Sequence, residues 1–169
     1  MSQILIVDDH VREIRIPLKR QLGRVFGEET ILEAGNGLEA LEQVAAHRPA
    51  VIILDIMMPV MNGLDACKII RSDRRNVGVY IIMFTGREGG LPEGLEVGAD
   101  VYLKKPCSVN DLIAVIHKGL DAYHKTIAML HEKSVLESEV EKLKMVSDVM
   151  MINHFPGRGT ESWLDMLDK

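Results

Sequence analysis

The chain has 169 residues, 47% of them hydrophobic, and a formal net charge of −5 at pH 7, a size that holds one ordinary domain with an appendage but not two full domains. Its basic residues are scattered rather than gathered into a stripe, so this segment is expected to bind no nucleic acid directly. The two cysteines, Cys67 and Cys107, lie far apart, no apolar run reaches the roughly 20 residues of a membrane span, and the amino terminus enters a strand pattern at once. Together these argue against a structural zinc site, a membrane partner and a secretion signal, and the expected setting is a reducing cytoplasm.

Gln3 to Val7 is an apolar run that ends in Asp8-Asp9. Val11 to about Val25 follows with Ile14, Leu18, Leu22 and Val25 at helical spacing. Pro17 falls inside that helix, where a proline costs about 3 kcal/mol and kinks the chain. Thr30 to Ala34 is a second strand, Gly35-Asn36-Gly37 punctuates it, and Leu38, Leu41, Val44 and Ala45 mark a second helix that ends at Arg48-Pro49. Ala50 to Leu54 is continuous and β-branched, as in a strand buried on both faces, and it delivers Asp55 to a loop containing Pro59, Asn62 and Gly63. A third helix starts at Gly63, with Leu64, Cys67, Ile69 and Ile70 expected on its inner face.

Val79 to Phe84 is again continuous and apolar, and it ends in Thr85-Gly86. Gly89, Gly90, Gly94, Gly98 and Pro92 leave only Leu91, Leu95 and Val97 to anchor a short, loosely held fourth helix. Asp100 to Lys105 is a fifth strand closed by Pro106. From Asn110 a helix runs about forty residues without a stop signal, with Ile113, Ile116, Leu120, Tyr123 and Ile127 facing the sheet. Met129, Leu136, Leu143 and Met150 then repeat every seven residues with Val140 between them, the seam of a two-stranded coiled coil made imperfect by Lys133 and Ser147. A solvated helical linker is the alternative for the same stretch. Asn153 to Gly159 breaks the helix, and Thr160 caps a short segment with Trp163, Leu164 and Leu167.

Alternating strands and helices predict an α/β fold with a doubly wound, five-stranded parallel sheet, whose ligands sit at the carboxyl ends of the strands. There the chain places Asp8 and Asp9, Asp55, Thr85 and Lys105. Carboxylates about 4 Å apart repel by roughly 4 kcal/mol per pair at an effective dielectric near 20, so three together call for a cation. Oxygen ligands with room for water favour Mg²⁺ over calcium. With a lysine and a hydroxyl opposite, the set suits phosphoryl transfer to a carboxylate. Each residue has a plain structural alternative: a helix cap for Asp8-Asp9, a loop cap for Asp55, a turn for Thr85, a surface amine for Lys105. His117, His124 and His131, at seven-residue intervals, read either as surface residues or as a pH-sensitive or metal-binding edge.

From Gln3 to about Tyr123 the chain resembles the receiver domain of two-component response regulators, on the strength of Asp8-Asp9, the Asp55-x-x-Met58-Pro59-x-Met61-x-Gly63 stretch, Thr85, and Tyr102-x-x-Lys105-Pro106. The resemblance implies a flavodoxin-like sheet of order 2-1-3-4-5. It implies Asp55 as phosphoacceptor from the phosphohistidine of a sensor histidine kinase, and Mg²⁺ held by Asp8, Asp9, Asp55 and the backbone carbonyl of Met57. It also implies Thr85 and Tyr102 as a switch pair, and Lys105, the lysine directly before the proline, rather than Lys104 as the phosphate partner. Met57 and Arg87 occupy positions that border the path of attacking water. Cys107 stands where the family usually has an aromatic, and the glycines after Gly86 and the Pro17 kink are also departures. These bear on how the signal leaves the domain.

The expected organisation is a receiver domain over residues 1–124, a helical coiled-coil linker over 125–152 continuous with its last helix, and over 153–169 a break and short helix that begins a further domain or docks on the dimer. The expected function is a phosphorylation-activated switch, not an enzyme, passing its change to a homodimer through the long helix or to a downstream effector. A receiver-like module that only dimerises is one alternative. A phosphatase of the haloacid-dehalogenase type is another, but it needs a second acid two residues after its aspartyl nucleophile, where this chain has Met57.

Overall fold

The five apolar runs form the sheet. The computed structural model describes residues 2–86 and 96–154, with side chains as far as residue 148. Strands β1 (Ile4–Val7), β2 (Ile31–Ala34), β3 (Val51–Leu54), β4 (Tyr80–Thr85) and β5 (Val101–Lys104) lie parallel in the order β2-β1-β3-β4-β5. The register pairs Val7 with Leu54, Leu54 with Met83, and Thr85 with Lys104, which lines up the carboxyl ends on one edge. The α/β class and the strand order are those the sequence implied.

Neighbouring residues on a strand point to opposite faces, so an unalternating apolar run supplies two cores. Leu5, Val7, Ile52, Leu54, Ile81 and Met83 pack with Ala40 and Val44 of α2 (Gly37–His47) and Cys67 and Ile70 of α3 (Gly63–Ser72). Ile4, Ile6, Val51, Ile53, Ile82 and Phe84 pack on the other side with Leu18 and Leu22 of α1 (Ile16–Phe26) and Leu112 and Ile116 of the long helix α4 (Val109–His154). The helices therefore divide between the two faces.

The buried stripe of each helix is narrower than its apolar pattern. Ile69 and Ile127, expected inward, are 45% and 41% exposed, and Val25 and Leu38, which carry the helical spacing of their own helices, 49% and 46%, whereas Leu112 and Ala66 are buried. A sheet covers only the residues nearest the helix axis of approach, and apolar positions one step of about 100° away stay at the flank. Pro17 also finds its place here. Instead of kinking one long helix, it sits in the first turn of α1, and a separate π-helical turn, Val11–Arg15, precedes it. The wider turn lets Arg15 N–H reach the His10 carbonyl five residues back, at 3.1 Å, so the chain enters α1 where a proline's missing N–H costs nothing.

Arg71 joins three segments on the α3 side. It donates to the carbonyls of Gly98 and Val79, each at 2.6 Å, and to Asp100 Oδ2, which also accepts from Ile81 N–H at 2.7 Å. Val97 packs on the core, while Leu91 and Leu95 lie outside the described residues. His117 meets the Phe26 ring and His124 Nε2 lies 2.8 Å from Ser2 Oγ, so these two histidines have separate partners.

Met1–Ile127 and Ala128–Lys169 are distinct compact units. In the second, Met129, Leu136, Val140 and Leu143 are 49–69% exposed, and Lys133 pairs with Glu137 one turn on at 3.8 Å. Asn153 and His154, expected to begin a break, are instead the last residues of α4, and residues 155–159 and the segment with Thr160, Trp163, Leu164 and Leu167 lie outside the described residues. No helix among the described residues is long and apolar enough to cross a membrane.

Candidate functional site

Parallel register brings the loop after β1 beside the loop after β3. Asp8 N–H donates to the Ala34 carbonyl at 3.2 Å and Asp55 N–H to the Val7 carbonyl at 2.9 Å, so both carboxylates leave the sheet at its edge. They are nearly out of solvent, at 2% and 5% exposure. Asp55 Oδ1 accepts the Ile56 N–H at 2.7 Å. The following loop folds back on Asp55: Gly63 N–H donates to Ile56, and a Cβ at Gly63 would strike the Asp55 carbonyl oxygen. Gly37 N–H holds the same loop through the Met61 carbonyl at 2.9 Å, and Val60 takes a left-handed backbone, φ 68°, with its side chain in solvent. A β-branched residue there is strained.

Lys105 closes the site from the far strand. Its N–H donates to the Thr85 carbonyl at 2.9 Å, and its ammonium lies 2.5 Å from Asp8 Oδ2 and 2.9 Å from Asp55 Oδ2, beside the Phe84 ring. One amine thus bridges two buried carboxylates, which offsets most of their repulsion. Lys104 is exposed and Lys105 is the lysine on the acids. Thr85 is 1% exposed and lines the same cleft of about 520 Å³, with Met57 and Gly86 at its mouth. Tyr102 pairs with Met83 and packs, partly buried, on the α3-side core, on the same face of the sheet as Thr85 two residues along β4. Arg87 lies outside the described residues.

Asp9 completes the set. Its Oδ1 is shut off from solvent without a hydrogen-bond partner, an arrangement a cation satisfies. Donor atoms of Asp8, Asp9, His10 and Asp55 fall within 4.8 Å of one another, the one such group among the described residues. The carboxylates fit a hard divalent ion such as Mg²⁺.

His10, Glu13 and Ile14 also line the cleft, and sequence reading singled out none of them as a site residue, with Ile14 only an apolar helix position. The signal for His10 was adjacency to the acidic pair. The charge of Asp9, and then the hydrogen bond to Asp8, raise its pKa above the usual 6.5.

Residues 4–117 match the family model of the response regulator receiver domain. Over 112 residues the chain is 38% identical to response regulator MprA of Mycobacterium ulcerans (strain Agy99), covering 66% of this chain and 47% of MprA, so it spans about half the length of that relative. It is 34% identical over 144 residues to the transcriptional regulatory protein PdtaR of Mycobacterium tuberculosis (strain CDC 1551 / Oshkosh), covering 85% of this chain and 69% of PdtaR. That match necessarily extends along α4 beyond residue 124. A CheY-like response regulator receiver domain protein from Methanospirillum hungatei JF-1 superposes with a TM-score of 0.64 at 27% identity, over 74% of this chain and 98% of that one.

Proposed function

Because this chain belongs to the response regulator receiver domain family, we propose that it is a phosphorylation-controlled switch whose phosphoacceptor is Asp55. The observation that carries this reading is the Lys105 ammonium bridging Asp8 and Asp55 at the strand ends, with Thr85 in the same cleft. A receiver's work is signalling rather than turnover. Met57, two residues after Asp55, is 61% exposed and brings no acid to protonate a leaving group, which weighs against a phosphatase.

In this reading the Asp55 carboxylate attacks the phosphorus of a phosphohistidine on a sensor histidine kinase. The new O–P bond forms as the P–N bond breaks, and the departing imidazole takes up a proton. Asp8, Asp9, Asp55 and the backbone carbonyl of Met57 would hold Mg²⁺. When bound, the ion supplies charge neutralisation for the transferring phosphoryl oxygens. Lys105 is placed to leave Asp55 for a phosphoryl oxygen while staying beside Asp8, and Thr85 to donate its hydroxyl to another. Thr85 and Tyr102, on one face of the sheet, would then change packing together and carry the change toward α4. A nearly complete shift between two packings needs about 5.5 kcal/mol of differential binding.

The exposed heptad residues of α4 support a homodimer through that helix as the output. The relatives named as a response regulator and as a transcriptional regulatory protein support an output in regulation, including of transcription. Labelling with acetyl phosphate and Mg²⁺ tests the site: the parent chain takes up one phosphoryl group, and Asp55→Asn takes up none. Equal labelling of the variant rules Asp55 out as acceptor.

A further inference from the structure

The acidic pair is followed at once by a histidine whose ring lies against it. His10 Nδ1 is 2.9 Å from Asp9 Oδ1 and 3.2 Å from Asp8 Oδ1, and its own N–H donates to Asp8 Oδ1 at 2.9 Å. The contact with Asp8 is a hydrogen bond. The closer approach to Asp9 is not aligned as one, and Asp9 Oδ1 stays without a donor although it is sequestered from water. Two donor atoms that come close without aiming at each other are disposed as ligands of a common ion are. Donors around an octahedral ion at about 2.1 Å stand roughly 3 Å apart when adjacent and about 4.2 Å when opposite. The group spanning Asp8, Asp9, His10 and Asp55 lies within 4.8 Å, so a contraction of well under 1 Å brings it to that geometry. The ring is 56% exposed and so has room to turn its nitrogen by that much, and on binding an ion Nδ1 releases to solvent the proton it donates to Asp8, leaving the neutral ring with its N–H at Nε2.

We propose that His10 is a fourth side-chain ligand of the cation at this site, and that it tunes the site toward borderline ions such as Mn²⁺ and Co²⁺ relative to Mg²⁺. The proposal rests on reading the carboxylates as a metal site. Three carboxylates alone are hard oxygen donors suited to Mg²⁺, which gains little from a nitrogen. An imidazole adds affinity that grows from Mn²⁺ to Co²⁺ along the divalent series. A histidine that only clamped Asp8 in position would support every ion alike.

The test is calorimetric titration of the metal-free full-length chain with MgCl₂ and, separately, with CoCl₂, for the parent, His10→Ala and Asp9→Asn, together with the nitrogen hyperfine coupling of bound Mn²⁺ by pulsed electron paramagnetic resonance. Thermal melts of the metal-free variants establish that they are folded. Removing His10 should weaken Co²⁺ by about tenfold or more, the scale on which ligand-shell changes act, and Mg²⁺ by less than about threefold. Mn²⁺ in the parent should show one ¹⁴N coupling that His10→Ala abolishes. Equal losses for both ions, no loss, or no nitrogen coupling overturns the proposal and leaves the carboxylate site standing. If the parent binds neither ion, or Asp9→Asn binds Mg²⁺ as well as the parent does, the metal-site reading itself fails and the proposal with it.

Discussion

Cys67 sits with no exposure between α3 and the strand layer, its thiol 3.5 Å from the Val97 carbonyl. Burial pushes its pKa up to about 11 from an ordinary value of 9.0. The folded state therefore favours the neutral thiol. The stabilisation is complete below pH 9 and is lost as pH rises toward 11, because the unfolded thiol ionises first. Two units correspond to at most about 3 kcal/mol. Urea midpoints measured at pH 8 and pH 11 should fall further for the parent than for Cys67→Ala, and iodoacetamide at pH 8 should modify Cys107 but not native Cys67. Residue-scale details of this kind were half legible. An apolar helix face announced Cys67 as inward and adjacency to the acidic pair was the signal for His10, but nothing local to Val60 showed its left-handed backbone, which belongs to a loop held by the N–H of Gly37 from α2.

At the scale of elements, helix starts were written in the chain. Asn36 and Asn62 cap α2 and α3 by accepting the N–H groups of Glu39 and Asp65 at 3.0 and 2.9 Å. Asn62 also closes the loop that carries the residues after Asp55. Asn62→Ala should cost about 1 kcal/mol, lowering the melting temperature by about 2–4 °C for a chain of this size, and Asn62→Ser should recover most of it. The start of α1 was less legible. Pro17 pointed to a kink, while the π-helical turn that resolves it depends on a bond from Arg15 to the His10 carbonyl. The narrow buried stripes of α3 and α4, which leave Ile69 and Ile127 outside, depend on how closely each helix approaches the sheet.

On the scale of the whole molecule, the homodimer reading makes a separable prediction. Leu136 and Leu143 are 55% and 69% exposed, a cost in apolar surface that a partner helix would relieve. Sedimentation of the full chain should show a dimer fraction that rises with a phosphoryl mimic. A Leu136→Glu, Leu143→Glu variant should stay monomeric and still accept phosphoryl at Asp55. The same dimer with and without the mimic would favour assembly without signalling.

The sequence by itself determined the class of fold and the roster of rim residues. Each strand is a short apolar run that needs two faces covered, and four of the five end at a polar rim residue, Asp8, Asp55, Thr85 or Lys105, so order and alternation are local properties that can be read along the chain. Only the tertiary structure decided which atoms meet. Lys105 reaches Asp8 across 97 positions and Asp55 across 50, and the N–H of Gly37 holds the loop after Asp55 through the Met61 carbonyl. Those distances follow from strand register and loop closure, which are set by packing over the whole sheet and leave no local pattern.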